Sequence, residues 1–309
     1  MQDNINRRRV VLLAGTSLAA MLALTLPSLA QATFTYSYEG YTAELPVDPQ
    51  RVFVMDSRTG LDFAVSAGFP IVATDWDPDE EMHFDAFLDN TVDRIEFRGE
   101  PNAELVLTYD PDLLVVGEGW WNYWKDNNSF NASGMPVLVV QDGSGGDWKE
   151  KMTGQLTAYN RADRAADLMA QYDAAVAAAK PEIARVLAGR KVAVTDIWGE
   201  QFALQTDTFS AAVARDLGID LASGTVEAED GYQVYSAENL DAYQDAALVM
   251  SLWSEDVADN PMWQRVPAIA RGAQYEMDTV NSWGFALTAI DLVSDFSEAM
   301  AVLEQADKK

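Results

Sequence analysis

The sequence predicts an α/β protein of two Rossmann-like lobes with largely parallel sheets, joined by a single long connecting helix. Three observations lead to this prediction. Short apolar runs alternate with helical stretches along the chain, the first half of the pattern recurs in the second half, and an alanine-rich helical segment lies between the two halves. Alternating strands and helices are typical of βα units on parallel sheets.

The predicted strands are short apolar runs bounded by polar or turn-forming sequence. In chain order the runs are Val52–Met55, Ile71–Ala73, Leu113–Val116, Val137–Val140, Val192–Thr195 and Leu248–Leu252. Ahead of them, Phe34–Tyr38 and Tyr41–Leu45 show strand-like alternation on either side of Glu39-Gly40. That pattern predicts a β-hairpin in front of the first lobe.

Two segments of the first half have counterparts in the second half, at similar offsets along the chain. Arg51–Asp56 resembles Lys191–Asp196, and Glu104–Val116 resembles Glu238–Met250. Each segment has the same place in its half as its counterpart has in the other half. The first segment is an opening strand, and the second is a helix that begins with a glutamate and leads into another strand. Two matches in the same order indicate two related lobes.

The segment between the halves predicts the connecting helix. Arg161–Leu187 is rich in Ala, and its larger apolar residues recur at helical spacing. Pro181 interrupts this pattern, which predicts a kink or a restart of the helix at that point. The predicted boundaries are therefore 33–158 for the N-terminal lobe, 159–188 for the connecting helix and 189–309 for the C-terminal lobe.

The N-terminal segment 1–32 predicts a cleaved export signal. Three arginines at positions 7–9 precede an apolar stretch, Val10–Leu26, and Ala30-Gln31-Ala32 supplies the pattern that signal peptidase accepts. We expect cleavage after Ala32 and a periplasmic location. The paired arginines also resemble a twin-arginine signal, which leaves both export routes open.

The chain contains no cysteine, which limits both the reactions and metal sites it can support and the ways it can be attached to a membrane. A lipoprotein needs a cysteine at its new N-terminus, so we expect an untethered protein. Thiol catalysis, thiolate metal sites and iron–sulfur clusters are excluded as well.

The charge of the chain bears on its partners. Removing segment 1–32 takes away three Arg and one Asp, which leaves 18 basic and 48 acidic side chains and a net charge of −30. Such a surface repels nucleic acid and anionic membranes. We therefore expect no nucleic-acid partner.

Several loose motifs, taken together, resemble a known family. They are Pro49–Val52, Pro101–Glu104, Asp110–Val116, Asn260–Trp263 and Gly272–Tyr275. In this order and spacing they resemble the ABC transporter substrate-binding proteins for iron siderophores, haem and cobalamin. The resemblance implies two α/β lobes bridged by one long helix, with the ligand cleft between the lobes.

The resemblance also implies a function. The chain would be the periplasmic solute-binding component of an ABC importer, a monomer that captures a ferric siderophore and delivers it to the permease dimer in the inner membrane. Haem or cobalamin is the alternative ligand. Family members present one exposed glutamate per lobe to the permease, and Glu104 and Glu238 match those positions. No resident cofactor and no catalytic residue are expected.

Candidate binding residues follow from a rule for open α/β sheets: ligands bind beyond the carboxyl ends of the strands. Six of the nine tryptophans fall at predicted strand ends or loops, where they form walls suited to a bulky chelate, and two arginines can donate paired hydrogen bonds to its oxygen atoms. The predicted set is Arg58, Trp76, Arg98, Trp120, Trp121, Trp198, Tyr232, Tyr235, Trp253 and Trp283.

Other classes of function find less support in the sequence. His83 is the only histidine, which excludes a metal site built on several histidines but leaves haem ligation by His83 or a tyrosine open. No Gly-x-Ser-x-Gly elbow is present, so we expect no enzyme, although paired carboxylates for glycoside hydrolysis remain open among so many acids. A binding module without transport is a third class.

Overall fold

The strands of the protein form one hairpin and two five-stranded sheets. The structure, a computed structural model, describes residues 31–78, 82–97, 103–127, 134–278 and 282–309, with the backbone alone for 124–127 and 255–256. The predicted signal peptide lies outside these residues, apart from its last two positions. Within the described ranges, no helix combines the length and the apolar character needed to cross a membrane.

The hairpin and the N-terminal sheet follow the prediction. Strands β1 (Thr33–Tyr38) and β2 (Tyr41–Pro46) pair antiparallel, with Tyr38 opposite Tyr41. The sheet contains β3 (Val52–Val54), β4 (Ile71–Asp75), β5 (Asp93–Ile95), β6 (Leu113–Gly117) and β7 (Val137–Val140). Its strand order is β5-β4-β3-β6-β7, and every pair is parallel.

The C-terminal sheet is mixed, and four of its five strands run in the same direction, which agrees with the expectation of a largely parallel sheet. It contains β8 (Lys191–Trp198), β9 (Gln201–Gln205), β10 (Tyr232–Ser236), β11 (Ala246–Leu252) and β12 (Gln274–Glu276), in the order β10-β9-β8-β11-β12. Strand β11 pairs parallel with β8 and β12, whereas β9 pairs antiparallel with both β8 and β10. The turn Gly199-Glu200 between β8 and β9 is too short for a parallel crossover.

Eight α-helices connect and cover the sheets in the described residues. They are α1 (Thr59–Ala67), α2 (Ala103–Thr108), α3 (Glu118–Asn127), α4 (Trp148–Ala158), α5 (Ala162–Leu187), α6 (Phe209–Asp216), α7 (Pro267–Ala270) and α8 (Ala286–Ala306). Short 3-10 helices span His83–Phe87, Asp241–Tyr243, Ser254–Val257 and Trp263–Arg265.

Helix α5 is the predicted connection between the two lobes. It runs for 26 residues and continues through Pro181, so the predicted restart of the helix is wrong. Proline removes one backbone hydrogen bond and crowds the preceding turn, but flanking side chains can hold the helix together. Tyr172 and Ile183 are buried on either side of Pro181, and α8 packs along α5.

The alternation of side chains along the N-terminal strands divides the apolar residues between two clusters. Val52 and Val54 belong to the main core, which extends into the C-terminal lobe, whereas Phe53 faces a smaller cluster on the opposite side of the sheet. Strand β6 alternates in the same way. Both faces are buried, which explains why these strands are uninterrupted apolar runs in the sequence.

The repeated sequence segments have equivalent places in the two sheets. Arg51–Asp56 contains β3 and Lys191–Asp196 lies in β8, and each of these strands is at the centre of its sheet. Strands β6 and β11, which end the second repeated segment in each half, pair parallel with these central strands. The repeat therefore reflects two lobes of related strand order.

The two lobes also meet in a buried seam. The carboxylate of Asp62 in α1 accepts the backbone N–H of Phe285 at the start of α8, at 2.8 Å. Beside this contact the carbonyl of Ser144 accepts the backbone N–H of Phe209, at 2.5 Å. Gly143 lies so close to Gly284 that a Cβ atom at Gly143 would overlap its carbonyl oxygen. These contacts join the lobes independently of α5.

Candidate functional site

The candidate site lies at the carboxyl ends of the N-terminal strands, where open α/β sheets bind ligands. Strand β3 leads into Asp56-Ser57-Arg58, β4 into Trp76, and β6 into Glu118 at the start of α3. Two adjoining cavities of about 260 and 370 Å³ occupy this edge. Both are lined by Arg58 and Trp120, so they form two parts of one cleft.

Arg58 is held at the centre of the cleft by its backbone. Its N–H donates to Asp56 Oδ1 at 3.1 Å, and the N–H of Gly60 donates to Asp56 Oδ2 at 2.6 Å. A side chain at Gly117 would overlap this carboxylate, so the end of β6 requires glycine. The pKa of Asp56 is raised, chiefly by burial, and the hydrogen bonds and the charge of Arg58 oppose that effect.

The guanidinium of Arg58 spans the cleft. It lies 4.7 Å from the ring centroid of Trp283, which precedes α8. This distance is within the range of a cation–π contact. Arg58 comes from the N-terminal lobe and Trp283 from the segment that leads into the last helix of the C-terminal lobe. Two residues that the sequence predicted separately therefore meet in space.

Aromatic side chains line the N-terminal wall of the cleft. Trp120 is 38% exposed and packs edge-on against Tyr123, which is 55% exposed. Trp76 lines the smaller cavity, and the guanidinium of Arg94 lies 5.0 Å from its ring centroid. Arg94 in turn contacts Asp85 at 2.5 Å, which fixes the cation behind the indole.

Trp198 and Tyr232 form the corresponding aromatic pair of the C-terminal lobe. Trp198 is 43% exposed at the end of β8, and its ring centroid lies 5.6 Å from that of Tyr232. The pKa of Tyr232 is raised by burial first, then by the negative charges of Asp196 and Asp142. Asp142 follows β7 in the N-terminal lobe and lines the larger cavity, so Tyr232 lies within electrostatic range of the opposite wall.

Some predicted residues lie elsewhere. Trp121 is buried in the smaller core cluster and packs on Tyr41, because successive residues of α3 point in different directions. Tyr235 belongs to strand β10 and is buried against Tyr243. Trp253 follows β11 and packs partly against the main core. Arg98 lies outside the described residues.

His83 is placed away from the cleft. Its ring stacks on Phe84 with centroids 3.9 Å apart, and its nitrogens lie 3.4 Å from the Thr288 hydroxyl and 3.7 Å from Asp291. Burial lowers the pKa of His83, and the negative charge of Asp291 opposes this. The histidine thus packs against α8 and lines neither cavity of the cleft.

The structure adds acidic residues that the sequence analysis missed. Glu118 accepts the Tyr38 hydroxyl and the backbone N–H of Asp142, and both carboxylates line the larger cavity. Asp142 comes two residues after β7, so the strand-end rule that found Arg58 would have found it. Asp75, the last residue of β4, lines the smaller cavity. Burial raises its pKa to about 6.

A larger cavity of about 530 Å³ lies between the hairpin and α4. Phe34, Tyr36 and Tyr159 contribute to its lining, and it contains none of the predicted binding residues. The cleft around Arg58 lies at the carboxyl ends of three neighbouring parallel strands, β3, β4 and β6, whereas this cavity adjoins the end of β7. Among the described residues, no group of three or more His, Cys, Asp or Glu is arranged to hold a metal ion.

Comparison with protein families matches residues 59–280 to the model described as "Periplasmic binding protein". The chain belongs to this family. Its members bind solutes and are not enzymes. The matched segment runs from α1 through β12, so it includes the connecting helix and most of both sheets.

Individual relatives agree with this assignment. The iron(3+)-hydroxamate-binding protein FhuD of Bacillus subtilis is 23% identical over 262 residues, covering 80% of each chain. The probable siderophore-binding lipoprotein YfiY of Bacillus subtilis is 22% identical over 260 residues, covering 78% of each.

Solved structures of related fold include FhuD from Vibrio cholerae bound to Fe3+–Desferal, with a TM-score of 0.65 and 16% identity, covering 82% of this chain and 98% of that one. The petrobactin-binding protein YclQ from Bacillus subtilis has a TM-score of 0.66 and 15% identity, covering 87% and 99%. The fold is thus the two-lobed periplasmic binding fold in which a long helix links the lobes.

The two glutamates of the internal repeat are both exposed. Glu104 lies in the first turn of α2. Glu238 lies in a turn ahead of the 3-10 helix Asp241–Tyr243, so it does not begin an α-helix as the repeat predicted. A favourable interaction with the N-terminal end of a helix dipole can therefore account for a glutamate at Glu104 but not for one at Glu238.

Proposed function

We propose that this periplasmic binding protein captures a ferric siderophore in the cleft around Arg58 and delivers it to an ABC importer. The family assignment and the siderophore-binding relatives support this function. The observation that carries the proposal is the position of Arg58, which lies between exposed aromatic rings at the ends of the N-terminal strands.

The proposed binding set combines predicted residues with Tyr123, which the sequence analysis did not select and which lines the larger cavity of the cleft. Arg58 donates hydrogen bonds to the oxygen atoms around the iron, and Trp283 orients its guanidinium. Aromatic rings of both lobes bury the organic part of the chelate. These rings are Trp76, Trp120, Tyr123, Trp198 and Tyr232.

Titration of intrinsic tryptophan fluorescence tests the function. Ferric hydroxamate and ferric catecholate siderophores, haem and cobalamin are added separately to the protein that lacks segment 1–32. We expect saturable quenching by a ferric siderophore, because tryptophans form the walls of the cleft. Quenching by haem or cobalamin alone would assign the protein to the other ligands. A lack of response to all of them would contradict the proposal.

The proposal includes a monomeric protein that docks on a permease dimer. One exposed glutamate in each lobe, Glu104 and Glu238, would contact one permease subunit each. Their equivalent places in the sequence repeat support this role, since two related lobes would face two related subunits. The lobes and the helix are those predicted: 33–158, 159–188 and 189–309.

The location is proposed from the sequence of the N-terminal segment 1–32. Export followed by cleavage after Ala32 would leave an untethered periplasmic protein that begins at Thr33. Intact-mass analysis of a periplasmic extract tests this. A mass that retains segment 1–32, or that includes a lipid, would contradict it.

A further inference from the structure

The cleft around Arg58 is rich in negative charge. Six acidic side chains line its two cavities, and Arg58 is the one cation among the described lining residues. Arg98 lies outside the described residues, and adding its charge still leaves an excess of acid. The six are Asp56, Asp75, Asp77, Glu96, Glu118 and Asp142.

Neutral donors hold several of these carboxylates in place. Asp56 and Asp75 accept backbone N–H groups, from Gly60 at 2.6 Å and from Phe97 at 3.3 Å respectively. Glu118 accepts a hydroxyl and a backbone N–H, and Asp142 accepts the backbone N–H and the hydroxyl of Ser144 at 2.9 and 2.8 Å. Such hydrogen bonds orient a carboxylate without cancelling its charge. A cleft with low-dielectric walls then concentrates the negative potential.

The charge of a ferric chelate depends on its chelating groups. Three catecholate dianions around Fe(III) give a trianionic complex, whereas three hydroxamate monoanions give a neutral one. A trihydroxamate with a free amine at one end is cationic. An anionic chelate would meet the lining carboxylates at close range, and a cationic one would be attracted to them.

The cleft also has the partners that an ammonium group requires. Trp120 and Tyr123 line the larger cavity together with Glu118, and Trp76 lines the smaller one together with Asp77. Aromatic faces next to carboxylates stabilise cations. We propose that this cleft selects chelates by charge: it takes a ferric trihydroxamate that is neutral or carries an ammonium, and it disfavours anionic tris-catecholates. This inference rests on the proposed function.

A matched pair of ligands tests the selection. The ferric complexes of desferrioxamine B and of N-acetyl-desferrioxamine B share one iron centre and differ by one ammonium charge. We expect the ammonium form to bind about tenfold more tightly at low salt, with the difference shrinking as salt is added. A ferric tris-catecholate should bind more weakly than either. Equal affinities for the pair, or tighter binding of the catecholate, would overturn the inference.

Variants in which neutral amides replace carboxylates supply the second test. The double variant Asp77→Asn with Glu96→Gln removes two carboxylates from the cleft, and Asp163→Asn with Asp167→Asn removes two from the exposed face of α5. We expect the first variant to reduce the preference for the ammonium form several-fold and the control to retain it. Equal effects of both variants would mean that the overall charge of the protein, not the cleft, causes the preference.

The two proposals fail in different ways. If no ferric chelate binds at all, the proposed function is wrong. If ferric chelates bind without regard to their charge, the proposed function stands and the selection by charge is wrong.

Discussion

Asp62 and Thr288 lie far apart in the sequence, one in each lobe, and are joined by two buried hydrogen bonds. Asp62 Oδ2 accepts the backbone N–H of Thr288 at 3.0 Å and its hydroxyl at 2.7 Å. The same oxygen accepts the N–H of Phe285, and the other oxygen accepts the Ser66 hydroxyl. A side chain of the N-terminal lobe thus caps the last helix of the C-terminal lobe, whose N-cap residue makes no side-chain capping bond of its own.

Replacing Asp62 by Ala should lower the free energy of unfolding by about 2–4 kcal/mol, because it leaves buried donors at the start of α8 without an acceptor. Thr288→Val removes only the hydroxyl and should cost about 1 kcal/mol. Urea unfolding monitored by circular dichroism measures both. Asp163→Ala, on the exposed face of α5, is the control and should change stability little. Equal stabilities of Asp62→Ala and the control would show that the cap is dispensable.

Ligand binding should close the lobes only slightly. The 26-residue helix α5 resists bending, and the buried contacts of Asp62 and Ser144 join the lobes beside it. A large closure would have to break these hydrogen bonds. Small-angle X-ray scattering with and without the chelate measures the change in radius of gyration. A strong compaction on binding would contradict this expectation.

Arg58→Ala should weaken ferric siderophore binding by about 1.5–3 kcal/mol, or roughly ten- to hundredfold in Kd, because a charged donor to the chelate is lost. The Kd of Arg58→Lys should lie between those of the unsubstituted protein and Arg58→Ala, since an ammonium cannot reproduce the paired hydrogen bonds of a guanidinium. Arg185→Ala is the control, because Arg185 pairs with Glu182 and Glu304 on the protein surface. Fluorescence titration measures the Kd of the unsubstituted protein and of the three variants. An unchanged Kd for Arg58→Ala would remove Arg58 from the binding set.

Glu104→Arg combined with Glu238→Arg should abolish iron uptake in cells and leave chelate affinity nearly unchanged, because both residues are exposed and line neither cavity of the cleft. Uptake of radiolabelled ferric siderophore and fluorescence titration measure the two properties separately. A parallel loss of affinity would place the glutamates in the binding site, and unchanged uptake would exclude them from docking.

Asp196 should make stability depend on pH. Burial raises its pKa from 3.8 to about 6, against the hydrogen bonds of Gln205 and Tyr232. Between about pH 4 and 6, Asp196 therefore keeps its proton in the folded protein but loses it in the unfolded chain. The stability that Asp196 contributes in its protonated form is lost as the pH rises through 6. Its size is on the order of 3 kcal/mol.

The variant Asp196→Asn isolates this contribution. Its stability relative to the unsubstituted protein should rise from pH 4.5 to pH 7.5, as urea unfolding at several pH values would show. Asp245→Asn, which replaces an exposed carboxylate, should follow the unsubstituted protein. Parallel pH profiles for all three proteins would contradict the assignment of the shift to Asp196.

The sequence could predict the helix α5, the hairpin and the central strands, because their signals are local. An apolar run such as Val137–Val140 or a helical spacing of buried residues depends only on neighbours in the chain. Strands β9 and β10 were missed, since their residues alternate less clearly and their direction depends on the turn at Gly199-Glu200. At Pro181 the local pattern left a kink or a restart open, and the continuous helix α5 excludes the restart.

The sequence by itself determined the family resemblance, the two related lobes and the strand ends that line the cleft. Only the tertiary structure decided which side chains share that cleft. Trp120 and Trp121 are neighbours in the chain, yet α3 turns the first toward the cleft and the second into the core. The contact of Arg58 with Trp283 and that of Asp62 with Thr288 each join one end of the chain to the other. No local pattern encodes such pairs, because they depend on how the packed core positions one lobe against the other.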